Sequence, residues 1–200
     1  MTRKPANLSG LDETKLQSVA PGVFYTKSDI VAVDQTIVTY LKTAANISLL
    51  KRARLCAHPN PNSTQHDMLI VSHKNSYIPP HRHFDKTETM IILEGRADAI
   101  LFDENGQITD VLRMGSKDSG LLFFYRMPER QYHSLLIRDE WLIFIENTKG
   151  PFTVKTSQNA PWAPEPEDIE AGITFKKEMN QMVEDFFSQL SYTENHRNQD

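Results

Sequence analysis

Short apolar runs with strand-like spacing dominate the middle of the chain. Turn residues separate these runs, as at positions 104–106, where Glu-Asn-Gly lies between two of them. The runs are "DMLIVSH", "TETMIILEG", "RADAILFD", "ITDVLRM", "GLLFFYRM", "YHSLLI" and "EWLIFIEN". Seven or eight successive strands with no helix between them predict an antiparallel sandwich or barrel. No βαβ unit fits between residues 67 and 147.

Two other segments have apolar residues at every third or fourth position, which is typical of amphipathic helices. The first follows a short strand at 21–27 and runs from Asp29 to about Asn46, with Ser28 as its predicted N-cap. The second covers about 174–190. The apolar positions are Ile30, Val33, Ile37, Leu41 and Ala44 in the first segment, and Phe175, Met179, Met182, Phe186 and Leu190 in the second. Each apolar face either packs on the barrel or forms a subunit interface, and the pattern leaves both open.

These elements divide the chain into three parts. Residues 1–50 are predicted to form an N-terminal extension with a strand and a helix, and residues 51–150 the barrel. Residues 151–200 are predicted to hold an irregular wrapping segment rich in proline, then the C-terminal helix and a frayed tail from residue 191.

Composition and charge narrow the class of partner. The 200 residues are 39% hydrophobic, as expected of a folded domain, and the net charge of −4 provides no basic stripe for nucleic acid. The N-terminus lacks the apolar core of a secretion signal, and no run approaches the roughly 20 apolar residues of a membrane span. We therefore expect a cytoplasmic protein. The single cysteine, Cys56, is expected to be a buried, inert thiol.

Candidate chemistry lies in "PPHRHFDKTETM", residues 79–90. In a strand, His81 and His83 point to the same face, and the next strand can bring Glu88 opposite them. Two imidazoles and a carboxylate form a mixed N,O ligand set that suits Fe, Mn, Ni or Zn. The alternative is a surface turn with solvated histidines. It is disfavoured because Glu88 begins a strongly apolar strand, where a carboxylate needs a neutralising charge.

His133 starts another apolar strand after a proline turn, in "MPERQYHSLLI". Taken alone, a histidine in this position is more often a core or surface residue than a metal ligand.

Both segments together resemble the conserved motifs of the cupin family. His81, His83, Glu88 and Gly95 match the first motif, and Pro128 with His133 matches the second. "PHRHFDKTE", "LFDENGQI", "MPERQYH" and "ENTKGPF" followed by "APWAPE" resemble, more narrowly, the WbuC-type cupin metalloproteins, as do Arg52, Arg54 and His58. The resemblance covers residues 47 to 166.

The resemblance implies a mainly β cupin fold, a double-stranded β-helix or jelly-roll barrel, with a helix at each end of the chain. It implies that His81, His83, Glu88 and His133 bind one divalent transition metal: Fe, Mn, Ni or Zn. Arg130 replaces the glycine of the second motif, and it either binds an anion beside the metal or points to solvent. Candidates for substrate binding are Lys86, Arg96, Arg130 and Tyr132, which lie near the ligands in sequence, and Lys149 from the wrapping segment. For each of them, an exposed or merely packed side chain is the alternative.

Two functions follow from these predictions. The first is a metal-dependent enzyme of the isomerase, epimerase or dioxygenase type acting on a small polar or anionic molecule, with a sugar derivative implied only by the resemblance. The second is a non-catalytic metal-containing module that binds or senses a small ligand. A metal-free storage protein would require His81, His83 and Glu88 to be splayed apart. We also expect a homodimer, because such barrels expose a sheet edge that a partner can cover.

Overall fold

In the computed structural model, which describes residues 13–197, twelve strands and two α-helices make up the regular structure. The strands are β1 (Leu16–Ala20), β2 (Val23–Thr26), β3 (Arg52–Cys56), β4 (Gln65–His73), β5 (His81–His83), β6 (Glu88–Glu94), β7 (Arg96–Phe102), β8 (Ile108–Gly115), β9 (Phe124–Met127), β10 (Tyr132–Ile137), β11 (Trp141–Lys149) and β12 (Ser157–Asn159). The helices are α1 (Gln35–Ile47) and α2 (Ile169–Arg197).

The eight strands from β4 to β11 form a double-sheet jelly roll. One sheet contains β4-β11-β6-β9, and the other contains β5-β10-β7-β8. Successive strands thus alternate between sheets except at β7-β8, which pair as a hairpin. This topology confirms the predicted mainly β jelly-roll fold.

The N-terminal strands extend the jelly roll instead of forming a separate unit. The strands β1, β2 and β3 join β4, so the first sheet has seven strands, and the β2–β3 pair is parallel. The strand β12 adds a fifth member to the second sheet by pairing with β5. The wrapping segment was predicted to be irregular, but its central residues form this strand.

The main core lies between the two sheets. Its fully buried members come from both sheets: Met90 and Leu142 from the first, and Met114 from the second. Cys56 is buried here too, as predicted. Burying each such side chain contributes about 1.5–3 kcal/mol.

The helix α1 covers the outer face of the first sheet. Its Ile37, Leu41 and Ala45 are fully buried and pack in one cluster with residues of β3 and β4. The predicted start of this helix was wrong. It begins after Asp34, whose carboxylate accepts hydrogen bonds from the backbone N–H groups of the first turn, and Ile30, predicted to be on the apolar face, is 83% exposed.

The helix α2 covers the outer face of the second sheet. Met179 and Val183 are its fully buried residues, and they pack against apolar residues of β7, β8 and β10. Asp168 begins the helix by accepting a hydrogen bond from the N–H of Ala171, so α2 starts earlier than the predicted residue 174. The helix also continues through Arg197, where a frayed tail was predicted, and residues 198–200 lie outside the described residues.

Both helix faces therefore pack on the barrel of their own chain, and the predicted homodimer and cytoplasmic location stay predictions. Within residues 13–197, neither helix combines the length and the apolar character that crossing a membrane requires.

Candidate metal centre

Four side chains from three strands converge at one point inside the barrel. His81 and His83 come from β5, Glu88 from the start of β6 and His133 from β10. His133 pairs directly with His81 across β5 and β10. One potential ligand atom from each residue lies within 4.8 Å of the other three. The metal-free alternative required splayed side chains, and the structure does not show that arrangement.

Backbone carbonyls fix the orientation of two of the imidazoles. His81 Nδ1 lies 2.9 Å from the carbonyl oxygen of Pro79, and His133 Nδ1 lies 2.9 Å from that of Gln131. Because a carbonyl only accepts, Nδ1 of each ring is the protonated nitrogen in these bonds. The Nε2 lone pair is then free for a metal ion, as in many protein metal sites.

The third imidazole is oriented by the wrapping segment. Ser157 in β12 lies opposite His83 in β5, and its hydroxyl is 2.9 Å from His83 Nδ1. This contact gives β12 a role that the sequence did not predict. The strand lies outside the eight-stranded jelly roll and orients one of the candidate ligands.

Glu88 is buried and has a partner on each carboxylate oxygen. Its Oε1 accepts a hydrogen bond of 2.6 Å from the hydroxyl of Tyr125, which comes from the neighbouring strand β9. Its Oε2 lies 3.1 Å from His83 Nε2 and 3.7 Å from His133 Nε2. Tyr125 therefore holds one oxygen, while the other faces the histidines.

Charge and burial shift the pKa values of this cluster in different directions. Burial lowers the pKa of His81 to about 3, so that this ring is neutral near pH 7. Burial alone would raise the pKa of Glu88, but the facing His133 and His83 outweigh it and hold the pKa well below its usual value. Burial alone would lower the pKa of His133, but the Glu88 carboxylate raises it. Glu88 is thus ionised and attracts a cation.

The cluster fits a divalent transition metal. Among residues 13–197, the Nε2 atom of His133 is buried without a hydrogen-bond partner, which is costly for a polar atom. A metal ion at the centre would satisfy it and would offset the buried charge of Glu88. Three imidazoles and one carboxylate suit Fe, Mn, Ni or Zn.

The candidate metal centre lies in the wall of a cavity of about 570 Å³ inside the barrel. This volume suits a small molecule. Other polar residues that line the cavity include Tyr25, Arg52, Arg54, His58, His66, Ser72, Lys86, Tyr125, Glu146 and Asn159.

Among the five predicted substrate-binding residues, Lys86 lines this cavity. Its ammonium lies 6.0 Å from the ring centre of Phe152, and burial lowers its pKa. Arg96 does not line it. Arg96 is exposed at the start of β7 and forms an ion pair of 2.7 Å with Asp139.

Tyr132 and Lys149 lie on the outer side of the barrel because side chains alternate along a strand. Tyr132 precedes the inward-facing His133, and its ring packs against the guanidinium of Arg82 at 4.3 Å. Lys149 follows the inward-facing Thr148 and is exposed.

Arg130 also lies outside the cavity lining. Its φ of 67° falls in the left-handed region, which agrees with glycine being usual at this position of the motif. Its backbone N–H donates a hydrogen bond of 2.7 Å to the carbonyl oxygen of His83, and its guanidinium lies 5.7 Å from the ring centre of Phe84. The residue thus fixes the backbone beside a candidate ligand.

Sequence reasoning gave no role to several residues of the cavity. Tyr125 and Ser157 contact the candidate ligands, and Glu146 lines the cavity from β11. Arg52 and Arg54 were named only as part of the resemblance. Alternation along "RARLC" places both on one face of a strand, and this signal points to a shared position.

Comparisons with known proteins identify no function. A family model described as a domain of unknown function, DUF6016, matches residues 33–114, which include His81, His83 and Glu88 but not His133. No curated protein matches the chain.

Several solved structures share part of the fold at low identity. Procruciferin, an 11S globulin from Brassica napus, is 12% identical, with 48% of this chain and 22% of that chain covered and a TM-score of 0.38. A mutant of oxalate decarboxylase from Bacillus subtilis is 14% identical, with 54% and 27% covered and a TM-score of 0.42. A protein from Acidithiobacillus ferrooxidans named as a sugar phosphate isomerase is 18% identical, with 44% and 51% covered and a TM-score of 0.35. The chain therefore spans about a quarter of the first two structures and about half of the third.

Proposed function

We propose that this protein is a metal-dependent cupin that binds one divalent transition metal through His81, His83, Glu88 and His133 and acts on a small polar molecule in the adjoining cavity. The observation that carries the proposal is the convergence of four ligand atoms within 4.8 Å at the wall of a 570 Å³ cavity. A buried carboxylate and two imidazoles with free Nε2 lone pairs, one of which has no hydrogen-bond partner, form a site that needs a cation.

A bound divalent metal supplies Lewis-acid or redox chemistry at an oxygen atom of the substrate. The protein residues prepare the site for it. Carbonyl oxygens and Ser157 orient the three rings, and Tyr125 orients Glu88. Isomerase, epimerase and dioxygenase reactions are all compatible with this arrangement. A sugar derivative as substrate is supported by the resemblance to WbuC-type cupins alone.

A non-catalytic binding or sensing module is the second candidate. It is favoured by the number of protein ligands, because four ligands complete the tetrahedral coordination of a structural zinc ion. An ion with five or six coordination positions would instead keep one or two for water or substrate. The identity and coordination number of the metal therefore separate the two candidates.

Metal analysis of the protein, purified without a metal-binding tag and then incubated with each metal in turn, tests the site. We expect about one equivalent of metal in the wild type and under a tenth of that in His81→Ala and His133→Ala. His73→Ala is the matched control, because His73 packs on Trp141 outside the cavity lining and should leave metal content unchanged. A wild type that neither retains nor takes up stoichiometric metal contradicts the proposal. Turnover of candidate sugar derivatives by the loaded protein then distinguishes an enzyme from a binding module.

A further inference from the structure

The strand β3 presents two arginines to the same cavity as the candidate metal centre. Ala53 and Leu55 of this strand pack in the cluster that contains α1, so Arg52 and Arg54, at the alternate positions, face the cavity. Lys86 lines the cavity as well. Three cationic side chains thus line the cavity, and the metal-binding proposal gives none of them a role.

The two arginines lack a partner of opposite charge at contact distance. Within residues 13–197, no carboxylate lies within 4.0 Å of either guanidinium, and neither side chain donates a hydrogen bond. Burial and the neighbouring Arg54 lower the pKa of Arg52, while Glu146 and Glu167 act on it only from a longer distance. Arg52 is half-buried, where a guanidinium without a partner is unfavourable, whereas Arg54 is exposed. An external anion would neutralise the unpaired charge of Arg52.

Ser72 provides an independent observation at the same place. It lies directly opposite Arg52 in the antiparallel β3–β4 pair, so both side chains are on one face of the sheet. Ser72 is fully buried, lines the cavity and, among residues 13–197, its hydroxyl has no hydrogen-bond partner. A buried hydroxyl beside an unpaired guanidinium forms a donor pair that lacks an acceptor.

We propose that Arg52, Arg54 and Ser72 form an oxyanion subsite that binds a carboxylate or phosphate group of the molecule held in the cavity. The guanidinium fork matches the two oxygens of either group, and the serine hydroxyl donates to a third position. Lys86 adds a further positive charge at the cavity wall, and Glu146, whose pKa is raised to about 8, offsets one charge only where the pH is high enough to ionise it. The inference rests on the proposed function in one respect. The anionic group of the ligand binds at the arginines, and the proposed function has another oxygen atom of the same ligand bind at the metal.

The test uses metal-free protein, so that the subsite is measured independently of the metal centre. Inorganic phosphate, malonate and the neutral analogue malonamide are titrated calorimetrically at constant ionic strength. We expect saturable binding of at least one anion and none of malonamide. Binding of phosphate alone identifies a phosphate subsite, and binding of malonate alone identifies a carboxylate subsite.

Variants assign the binding to these residues. Arg52→Gln should weaken anion binding at least tenfold, and Ser72→Ala should weaken it less. The control is Arg126→Gln, since Arg126 is exposed on the outer side of β9 and should leave affinity unchanged. Arg54→Gln is measured as well, and it carries the test alone if Arg52→Gln does not fold, as judged by thermal unfolding.

Two results would overturn the subsite: no saturation by either anion below about 10 mM, or wild-type affinity in both arginine variants. A wild-type protein that binds an anion but no metal would instead contradict the proposed metal centre and leave the subsite standing. The two proposals therefore fail in different measurements.

Discussion

Replacing Tyr125 by phenylalanine tests whether Glu88 is positioned as a metal ligand. The change removes one oxygen atom from a buried side chain and leaves the ring in place. It thereby deletes the 2.6 Å hydrogen bond that Tyr125 donates to Glu88 Oε1. Burial and the Glu88 carboxylate raise the pKa of Tyr125 well above its usual value, so the hydroxyl remains a donor at all ordinary pH values.

The size of the effect follows from the chemistry of this bond. A hydrogen bond to a charged group contributes about 1.5–3 kcal/mol, and Glu88 is only 5% exposed, so water does not readily replace the lost donor. Loss of a hydrogen bond that orients a metal ligand weakens metal affinity by about 10- to 100-fold. We therefore expect Tyr125→Phe to reduce metal affinity by about this factor and to destabilise the metal-free protein by about 2 kcal/mol.

Competition with a chromophoric chelator measures the affinity, and urea unfolding of the metal-free protein measures the stability. Tyr40→Phe is the matched control, because Tyr40 packs edge-on against Phe24 in the cluster on the outer face of the first sheet, away from the cavity. Wild-type metal affinity in Tyr125→Phe would refute the inference that Glu88 binds the metal in the orientation seen here. A loss of stability with unchanged affinity would assign Tyr125 to the fold alone.

Two further predictions concern the cavity and the barrel. Burial and the nearby Glu88 raise the pKa of Glu146 from 4.5 to about 8, so the folded protein keeps a proton that the unfolded chain loses above pH 4.5. The contribution of Glu146 to the stability of the metal-free protein should therefore be fully present below pH 4.5 and decline by about 2 kcal/mol, after solvent screening, as the pH rises to 8. Chemical unfolding at a series of pH values should show this decline in the wild type but not in Glu146→Gln. The same decline in both proteins would contradict the raised pKa of Glu146. Gly95→Ala should cost at least about 3 kcal/mol in the same assay, because Gly95 has a φ of +84° and an added Cβ would lie 2.0 Å from the carbonyl oxygen of Trp141. Gly120→Ala, with a φ of +75° but nothing within 4 Å of the Cβ, should cost only about 1 kcal/mol, and equal losses in both variants would exclude the steric clash.

The jelly roll was predictable because its strands are short, apolar and separated by turn residues, and nothing helical interrupts them. The start of α1 was not predictable, because Ile30 and Val33 happen to continue the helical spacing although they precede the helix. The capping carboxylate of Asp34 decides the start, and local periodicity does not reveal which of two capping residues the chain uses. The strand β12 was missed for a related reason: its three residues gain their pairing only from β5, which is more than seventy positions away.

The candidate ligands were predictable because the alternation of a strand fixes which side chains share a face. The same rule, applied to the predicted substrate-binding residues, would have placed Tyr132 and Lys149 on the outside. For Tyr132, proximity in sequence to His133 was a weaker guide to its position than the alternation of the strand. Tyr125 could not be assigned from the sequence, because its contact with Glu88 depends on the register between β6 and β9.

The charges in the cavity connect the candidate metal centre to the proposed oxyanion subsite. Arg52, Arg54 and Lys86 provide three positive charges, and Glu88 and Glu146 provide at most two negative charges. A divalent ion bound at Glu88 adds two positive charges, so the loaded cavity becomes strongly positive whatever the protonation state of Glu146. Coulomb attraction then favours an anionic ligand more in the loaded protein than in the metal-free protein. Since linkage is reciprocal, an anion at the arginines should also strengthen metal binding, and the two sites are expected to bind their ligands cooperatively.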